Sequence, residues 1–191
     1  MNNKMTKEQL NKILLSPNAS DLILKNLLEI EEIIPELKQM ENFNQNNHYH
    51  IYDVLTHSLE VVRNTKCDLI LRLSALLHDI GKPSTYTTDA KGTGHFYGHA
   101  KVSVSITKNI LRRLGYDGDI INDVLLLIEY HDYPIIVSEK PLRKLLKRFA
   151  SRLLDKLFLL KRADILGQNP EYRSRLSLID EAQEMISKLN M

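Results

Sequence analysis

Two ionisable residues, His78 and Asp79, stand at the end of a strongly apolar stretch near the middle of the sequence. Residues 69–77 are mostly leucine, isoleucine and alanine, which predicts a helix that other parts of the protein surround. A charged group in such a place is costly unless it is paired or binds a metal. His78 and Asp79 therefore either cap the helix end through hydrogen bonds or share a cation that the rest of the chain helps to hold.

Four further polar residues fall on the apolar faces of other predicted helices. His57 is spaced three or four residues from valines, so it shares their face of the helix. His99 and His131 each lie near the end of a later apolar stripe. Asp164 continues a stripe of leucines. A single histidine on such a face is usually a core residue with satisfied hydrogen bonds, whereas six buried polar groups in one small domain need a common partner.

These residue types predict a metal centre. Neutral imidazoles and ionised carboxylates bind divalent transition metals, and the set contains no cysteine, which favours Mn, Fe, Co, Ni or Zn over Ca or Mg. We expect one or two ions, because Asp79 is adjacent to His78 and its carboxylate can bridge two ions.

Helix start and stop signals recur along the chain and predict an all-α fold, a compact multi-helix bundle. The chain has 191 residues and fits one domain, residues 1–191. Within it we expect N-terminal packing helices over 1–37, a metal-site core over 48–167 and a C-terminal helix over 171–189. The segment 84–98 contains three glycines and can form a small β-hairpin beside the metal centre.

Composition excludes several classes of protein. The single cysteine, Cys67, cannot form an internal disulfide, which suits a reducing interior. No apolar run approaches the roughly 20 residues that span a bilayer, and the polar start, residues 1–9, lacks the apolar segment of a signal peptide. We therefore expect a cytoplasmic protein that does not contact a membrane. The sequence does not indicate its oligomeric state.

A basic region extends from Lys140 to Arg162. It holds nine lysines and arginines, although the net charge of the whole chain is only +2. Most of them lie off the apolar stripes, so the region is either a solvated helix face or a surface that contacts RNA. Its members are Lys140, Arg143, Lys144, Lys147, Arg148, Arg152, Lys156, Lys161 and Arg162.

The order of these motifs resembles a known family. His57, the His78-Asp79 pair and Asp164 resemble the HD superfamily of metal-dependent phosphohydrolases. Longer stretches look like the HD portion of bacterial tRNA nucleotidyltransferases, the CCA-adding enzymes, and these stretches cover residues 47–57, 73–83, 96–99 and 163–170. The nucleotidyltransferase head of those enzymes is missing from the sequence, so we do not expect this chain to add CCA to tRNA.

The resemblance implies that a first metal is held by four residues, namely His57, His78, Asp79 and Asp164. Many relatives have a glutamate after the histidine of the Gly-His step, whereas Ala100 follows His99 here. Members with two metals often have adjacent histidines where this chain has His131-Asp132. His99 and His131 would therefore either hold a second metal or contact the phosphate of a substrate.

The function that the resemblance implies is metal-dependent phosphoester hydrolysis, as a phosphomonoesterase or a phosphodiesterase. The substrate would be a phosphorylated small molecule, a nucleotide or a 2',3'-cyclic phosphate, attacked by metal-activated water. Asp79 would be catalytic as a metal ligand. Lys82, just past the helix end, would neutralise charge on the phosphoryl oxygens, unless it is an ordinary surface lysine. The loop histidines His48 and His50 could ligate a metal, but their place in a loop favours a solvated or substrate-facing pair.

Two other functions fit the same residues. A non-catalytic RNA-binding or regulatory module could keep the scaffold and use the basic region as its surface. A plain helical scaffold could use the metal only for stability. The enzyme predicts a phosphatase activity that Asp79→Ala abolishes, and the module predicts salt-dependent RNA binding that the same change leaves intact. The scaffold predicts only that chelation lowers the melting temperature.

Overall fold

A computed structural model describes residues 4–189 of the chain; residues 1–3 of the polar start and residues 190–191 of the predicted domain lie outside this part. Helices dominate, which confirms the prediction of an all-α multi-helix bundle. The α-helices are α1 (Lys7–Leu14), α2 (Ala19–Lys25), α3 (Leu27–Ile33), α4 (Val54–Arg63), α5 (Leu69–Leu77), α6 (Lys82–Thr85), α7 (His99–Arg113), α8 (Gly118–Tyr130), α9 (Glu139–Arg148), α10 (Ser151–Leu166) and α11 (Leu176–Leu189). Two short 3₁₀ helices, Pro35–Gln39 and Pro170–Arg175, lie after α3 and before α11. Within residues 4–189, no helix combines the length and apolar character that crossing a membrane requires.

The predicted hairpin is present between α6 and α7. Strands β1 (Thr87–Thr88) and β2 (Gly94–His95) are antiparallel, and Thr87 pairs with His95. The Gly94 amide also donates to the Asn46 carbonyl at 2.8 Å. The hairpin is therefore tied to the loop that precedes α4.

Helix α5 occupies the centre of the bundle. It packs against α4, α8 and α10, and its residues from Leu71 to Leu77 are all buried. The charged residue of α5 is Arg72, whose guanidinium donates to the Leu14 and Ser16 carbonyls at the end of α1. The polar residues that follow α5 consequently lie inside the protein, as the apolar stretch predicts.

The basic region divides into an exposed part and a buried part. Lys156 and Lys161 are only 8% and 7% exposed, so a solvated face is the wrong description for these two residues. The Lys156 ammonium pairs with Asp68, and the Lys161 ammonium donates to the His131 carbonyl. The exposed members are Lys140, Arg143, Lys144, Lys147, Arg148 and Arg152.

Replacing Asp68 by alanine is expected to destabilise the fold by about 1–3 kcal/mol. Asp68 accepts a hydrogen bond from the Leu71 amide at 2.9 Å and so caps α5, while its other oxygen pairs with the buried Lys156 ammonium. Urea unfolding followed by circular dichroism measures the loss. Asp68→Asn keeps a capping side chain but removes the charge, so its stability should lie between wild type and Asp68→Ala. A loss below about 0.5 kcal/mol for Asp68→Ala would contradict this account.

Gly81 allows the turn after α5 to pack against the first turns of α7. A methyl group on Gly81 would lie 2.6 Å from both the His99 carbonyl oxygen and the Ser103 amide nitrogen. Gly81→Ala should therefore displace the start of α7 and cost about 1–3 kcal/mol of stability. Gly118→Ala is the matched control, because nothing lies within 4 Å of the methyl group that it would add. Equal melting temperatures for the two variants would rule out this close packing.

Candidate metal centre

Five helices bring polar side chains to one point in the bundle. The side chains are buried except that of Asp164, which is 17% exposed. The structure thus brings together all six residues that the sequence predicts as metal ligands, although metal binding itself stays a prediction. They are His57 within α4, His78 and Asp79 directly after α5, His99 at the start of α7, His131 directly after α8 and Asp164 near the end of α10.

The Asp79 carboxylate lies between four imidazoles. Its Oδ2 atom is 3.2 Å from His78 Nε2 and 3.5 Å from His57 Nε2. Its Oδ1 atom is 3.3 Å from His99 Nε2 and 3.6 Å from His131 Nε2. Each carboxylate oxygen therefore faces its own pair of histidines.

Hydrogen bonds to the backbone set the tautomer of all four imidazoles. In each ring Nδ1 faces a carbonyl oxygen, which only accepts, so Nδ1 carries the proton and Nε2 of the neutral ring presents a lone pair. Ligating histidines are commonly oriented in this way. The pairs are His57 with Gly167 at 3.1 Å, His78 with Ala75 at 2.8 Å, His99 with Phe96 at 2.9 Å and His131 with Ile128 at 2.6 Å.

The inward-facing atoms need a cation. His57 Nε2 lies 3.3 Å from His78 Nε2, and His99 Nε2 lies 3.1 Å from His131 Nε2. Facing lone pairs repel each other unless a positive charge lies near both. In addition, neither oxygen of Asp79 makes a well-aligned hydrogen bond in residues 4–189. Oδ2 has the Lys82 ammonium at 2.7 Å, whereas no such cation lies at Oδ1 in these residues. A divalent cation would satisfy both sets of atoms, so the residues present fit the predicted metal.

The donors form two groups of three that share Asp79. One group is His57, His78 and Asp79, the other is Asp79, His99 and His131, and in each the ligand atoms lie within 4.8 Å of one another. The individual distances are 3.1–3.6 Å. Bonds from transition metals to nitrogen and oxygen are about 2.0–2.2 Å long, so atoms at these separations can reach one ion. The sequence leaves two roles open for His99 and His131. The second group could hold a second ion, and Asp79 would then be a ligand of both ions.

Asp164 lies at the edge of the first group. Its Oδ1 atom is 3.0 Å from His57 Nε2 and 3.8 Å from His78 Nε2. Gln168 donates to its Oδ2 atom at 3.2 Å and orients the carboxylate. Burial raises the pKa of Asp164, but the neighbouring His57 and His78 outweigh burial and bring the pKa below its ordinary value. Asp164 is therefore ionised and suited to be a fourth ligand of the first ion.

Lys82 is buried, so the alternative of an ordinary surface lysine is wrong. Its Nζ atom lies 2.7 Å from Asp79 Oδ2 and donates to Gln45 Oε1 at 2.7 Å. It also lies 3.4 Å from His50 Nε2. Burial raises the pKa of Asp79, but its polar neighbours, with the positive charge of Lys82 among them, bring the pKa well below its ordinary value. The Lys82 ammonium thus helps to keep Asp79 in the ionised form that binds metals.

Sequence reasoning missed the two amide side chains of the site, Gln45 and Gln168. Both fix a charged neighbour, and neither belongs to a pattern that marks it as functional. The loop residue His50 lines both cavities described below, and its ring lies beside that of His57 with the centroids 4.8 Å apart. Burial and the nearby Lys82 charge lower the pKa of His50 to about 2, so this ring is neutral.

Two cavities meet at the metal centre. Cavity A, about 540 Å³, extends toward the C-terminal helix, and cavity B, about 520 Å³, extends toward the hairpin. Both volumes fall in the range of small-molecule sites, about 300–1,000 Å³. Of the two, only cavity B is lined by Asp79, Lys82 and His99. The residues that line both cavities are Tyr49, His50, His131, Asp132, Asp164 and Gln168.

Two bacterial proteins are similar to this chain. The A-adding tRNA nucleotidyltransferase of Deinococcus radiodurans is 31% identical over 162 residues, which cover 81% of this chain and 37% of that protein. The CC-adding tRNA nucleotidyltransferase of Thermus thermophilus is 28% identical over 188 residues, which cover 94% of this chain and 43% of that protein. The chain therefore spans less than half the length of these relatives.

The profile of one protein family also matches the chain. The HD domain profile covers residues 48–167. This span contains all six predicted ligands and Lys82. The chain belongs to the HD domain family, whose members are generally metal-dependent phosphohydrolases.

Proposed function

We propose that this protein is a metal-dependent phosphohydrolase that acts on nucleotides or 2',3'-cyclic phosphates. The observation that carries the proposal is the set of four inward Nε2 atoms around Asp79, at a point where two cavities meet. A purely structural metal would need no access for a substrate, whereas Asp79 and Lys82 both line cavity B. The relatives are tRNA nucleotidyltransferases by name, which supports a substrate of the nucleotide or RNA-end class.

Each side chain of the centre has a role in this proposal. His57, His78, Asp79 and Asp164 would hold one ion, and Asp79, His99 and His131 the other. When bound, such an ion would supply a Lewis acid that acidifies water and polarises a phosphoryl oxygen. The backbone carbonyls on the four Nδ1 atoms keep the imidazoles oriented. Lys82 neutralises the charge that develops on the phosphoryl oxygens as the ester bond breaks.

Metal analysis combined with an activity panel tests the proposal. The purified protein is stripped with a chelator and reloaded separately with Mn, Fe, Co, Ni or Zn. Each form is then assayed on bis(p-nitrophenyl) phosphate, a 2',3'-cyclic nucleotide, a nucleoside monophosphate and a nucleoside triphosphate. We expect at least one metal to restore hydrolysis of a nucleotide or a cyclic phosphate. If no metal copurifies and none activates hydrolysis, the proposal fails.

Replacing Lys82 by methionine is expected to lower kcat by on the order of 100-fold, because a preorganised positive charge at the phosphate is lost. At saturating metal the metal content should stay that of wild type, since Lys82 is not a ligand and a bound divalent cation would itself keep Asp79 ionised. Lys101→Met, on the exposed side of α7, is the control and should leave kcat unchanged. Steady-state kinetics and metal analysis of the same preparations check the prediction. A parallel loss of metal would instead give Lys82 the role of holding Asp79 in place.

A second function is supported by the exposed part of the basic region. Helix α9 presents Lys140, Arg143, Lys144 and Lys147 along one groove, together with Glu139. An RNA-binding or regulatory module would use this surface and would not need hydrolysis. Its RNA affinity would fall steeply with salt and would be the same in Asp79→Ala as in wild type. A metal-dependent phosphatase activity that Asp79→Ala abolishes would exclude a purely non-catalytic module.

A further inference from the structure

Aromatic rings line cavity A beside the metal centre. The ring centroids of Tyr49 and Tyr172 lie 4.7 Å apart, and the His48 ring packs on Tyr49 at 4.1 Å. The Asn169 amide donates to the Tyr49 carbonyl at 2.9 Å, which joins the loop before α4 to the 3₁₀ helix Pro170–Arg175. Tyr49 is nevertheless 43% exposed. The cavity therefore has a fixed aromatic wall on which a planar ligand can stack.

Two cationic side chains line the same cavity. Lys161 donates to the His131 and Tyr133 carbonyls at 2.6 Å each, and an ammonium has three donors, which leaves one for a ligand. Arg175 donates to Gln168 Oε1 at 3.3 Å, and its guanidinium has further donors. An aromatic wall next to positive charges suits a nucleoside attached to a phosphate.

A separate aromatic platform lies in cavity B. Tyr97 is 79% exposed and stacks on His95, with ring centroids 5.3 Å apart and an angle of 7° between the ring planes. Both residues follow the hairpin turn and line the cavity that reaches Asp79 and Lys82. The metal centre thus has a stacking surface in each of the two cavities that meet there.

We propose that the substrate is a phosphodiester with a nucleoside on each side of the scissile phosphate. One base stacks in cavity A on Tyr172, whose ring plane is tilted by 50° from that of Tyr49. The other base stacks on Tyr97 in cavity B, and the phosphate lies at the metal centre between them. The inference rests on the proposed function, metal-dependent phosphoester hydrolysis at this site. It names a dinucleoside phosphodiester as the preferred substrate over a mononucleotide or a 2',3'-cyclic phosphate. A phosphomonoester would occupy only one of the two cavities.

The reaction is a hydrolysis and needs no further reactant. The oxygen of water forms a bond to phosphorus, and the bond between phosphorus and the ester oxygen of one nucleoside breaks. That ester oxygen leaves with the electron pair and gains a proton from the water. The products are a nucleotide in one cavity and a nucleoside with a free hydroxyl group in the other.

Two substrates and two pairs of variants test the inference. The metal-loaded enzyme is assayed on a dinucleoside monophosphate and on a nucleoside methyl phosphodiester, which has a single base. Tyr172→Ala and Tyr97→Ala each remove one stacking surface, whereas Tyr172→Phe and Tyr97→Phe keep the ring and control for folding. Bis(p-nitrophenyl) phosphate hydrolysis by wild type serves as the check on the proposed function.

We expect wild type to prefer the dinucleoside substrate in kcat/KM. Each alanine variant should lower that value roughly 5- to 150-fold, as expected for the loss of one stacked base, and each phenylalanine variant should retain it. On the methyl diester, only one of the two alanine variants should have this effect, because the other cavity stays empty. Equal kcat/KM for the two substrates in wild type, or equal losses on both substrates in both alanine variants, would overturn the inference. Absence of all metal-dependent hydrolysis, including that of bis(p-nitrophenyl) phosphate, would instead reject the proposed function.

Discussion

Replacing Asp79 by asparagine is expected to empty both metal positions and to abolish hydrolysis. Asp79 is the residue that the two groups of ligands share, and each of its oxygens faces a different pair of imidazoles. Asparagine has the same shape but only one oxygen, and its NH2 group cannot bind a cation. Changes to groups that merely support ligands already cost about 10- to 100-fold in metal affinity, so the loss of a shared ligand should exceed about 100-fold.

Metal analysis and diester hydrolysis, measured on one preparation, check this prediction. Asp155→Asn is the matched control, because it makes the same chemical change at an exposed position on α10. The control should keep the metal content and kcat of wild type. An Asp79→Asn protein that folds, keeps two ions and turns over at the wild-type rate would show that Asp79 does not bridge them.

Metal loading is expected to raise the melting temperature substantially. Without a cation, the facing Nε2 atoms of His99 and His131 lie 3.1 Å apart in the core, which destabilises the folded state. A metal at 100 times its dissociation constant stabilises the fold by about 2.7 kcal/mol per site. For a chain of this size each kcal/mol shifts the melting temperature by about 2–4 °C, so one ion should raise it by about 5–10 °C.

Thermal unfolding with a chelator and then with each candidate metal measures the shift. His131→Ala should retain the part of the shift that belongs to the first ion, whereas Asp79→Asn should lose nearly all of it. A shift of the same size in wild type and in Asp79→Asn would place the stabilising ion elsewhere on the protein. A shift without any phosphoester turnover would favour a scaffold with a structural metal.

The prediction that polar residues meet in the core rests largely on the apolar pattern of α5. A helix surrounded by protein leaves His78 and Asp79 in the core, and this follows from the spacing of leucines alone. The same periodicity placed His57, His99 and His131 inward, and the structure brings all three to Asp79. Local sequence patterns sufficed here because burial of a side chain depends mainly on the face of its own helix.

Contacts between residues that are far apart along the chain could not be predicted from the sequence. The carbonyl of Gly167 orients His57 across 110 positions, and a backbone carbonyl has no residue signature. The burial of Lys156 depends on Asp68, which lies 88 positions away. The arrangement of His99 and His131 was also left open, because spacing along the chain does not reveal that the two oxygens of Asp79 face different histidine pairs.

The most direct measurement is the rate of phosphodiester hydrolysis by metal-free protein as Mn²⁺ is added in stoichiometric steps. The ligand groups around Asp79 predict that the rate rises with metal and levels off at two ions per chain. We also expect no rise in the hydrolysis rate of Asp79→Asn at any ratio of Mn²⁺ to protein. A wild-type protein that binds no Mn²⁺, or that binds it without any hydrolysis of the diester, would contradict a catalytic metal centre at this position.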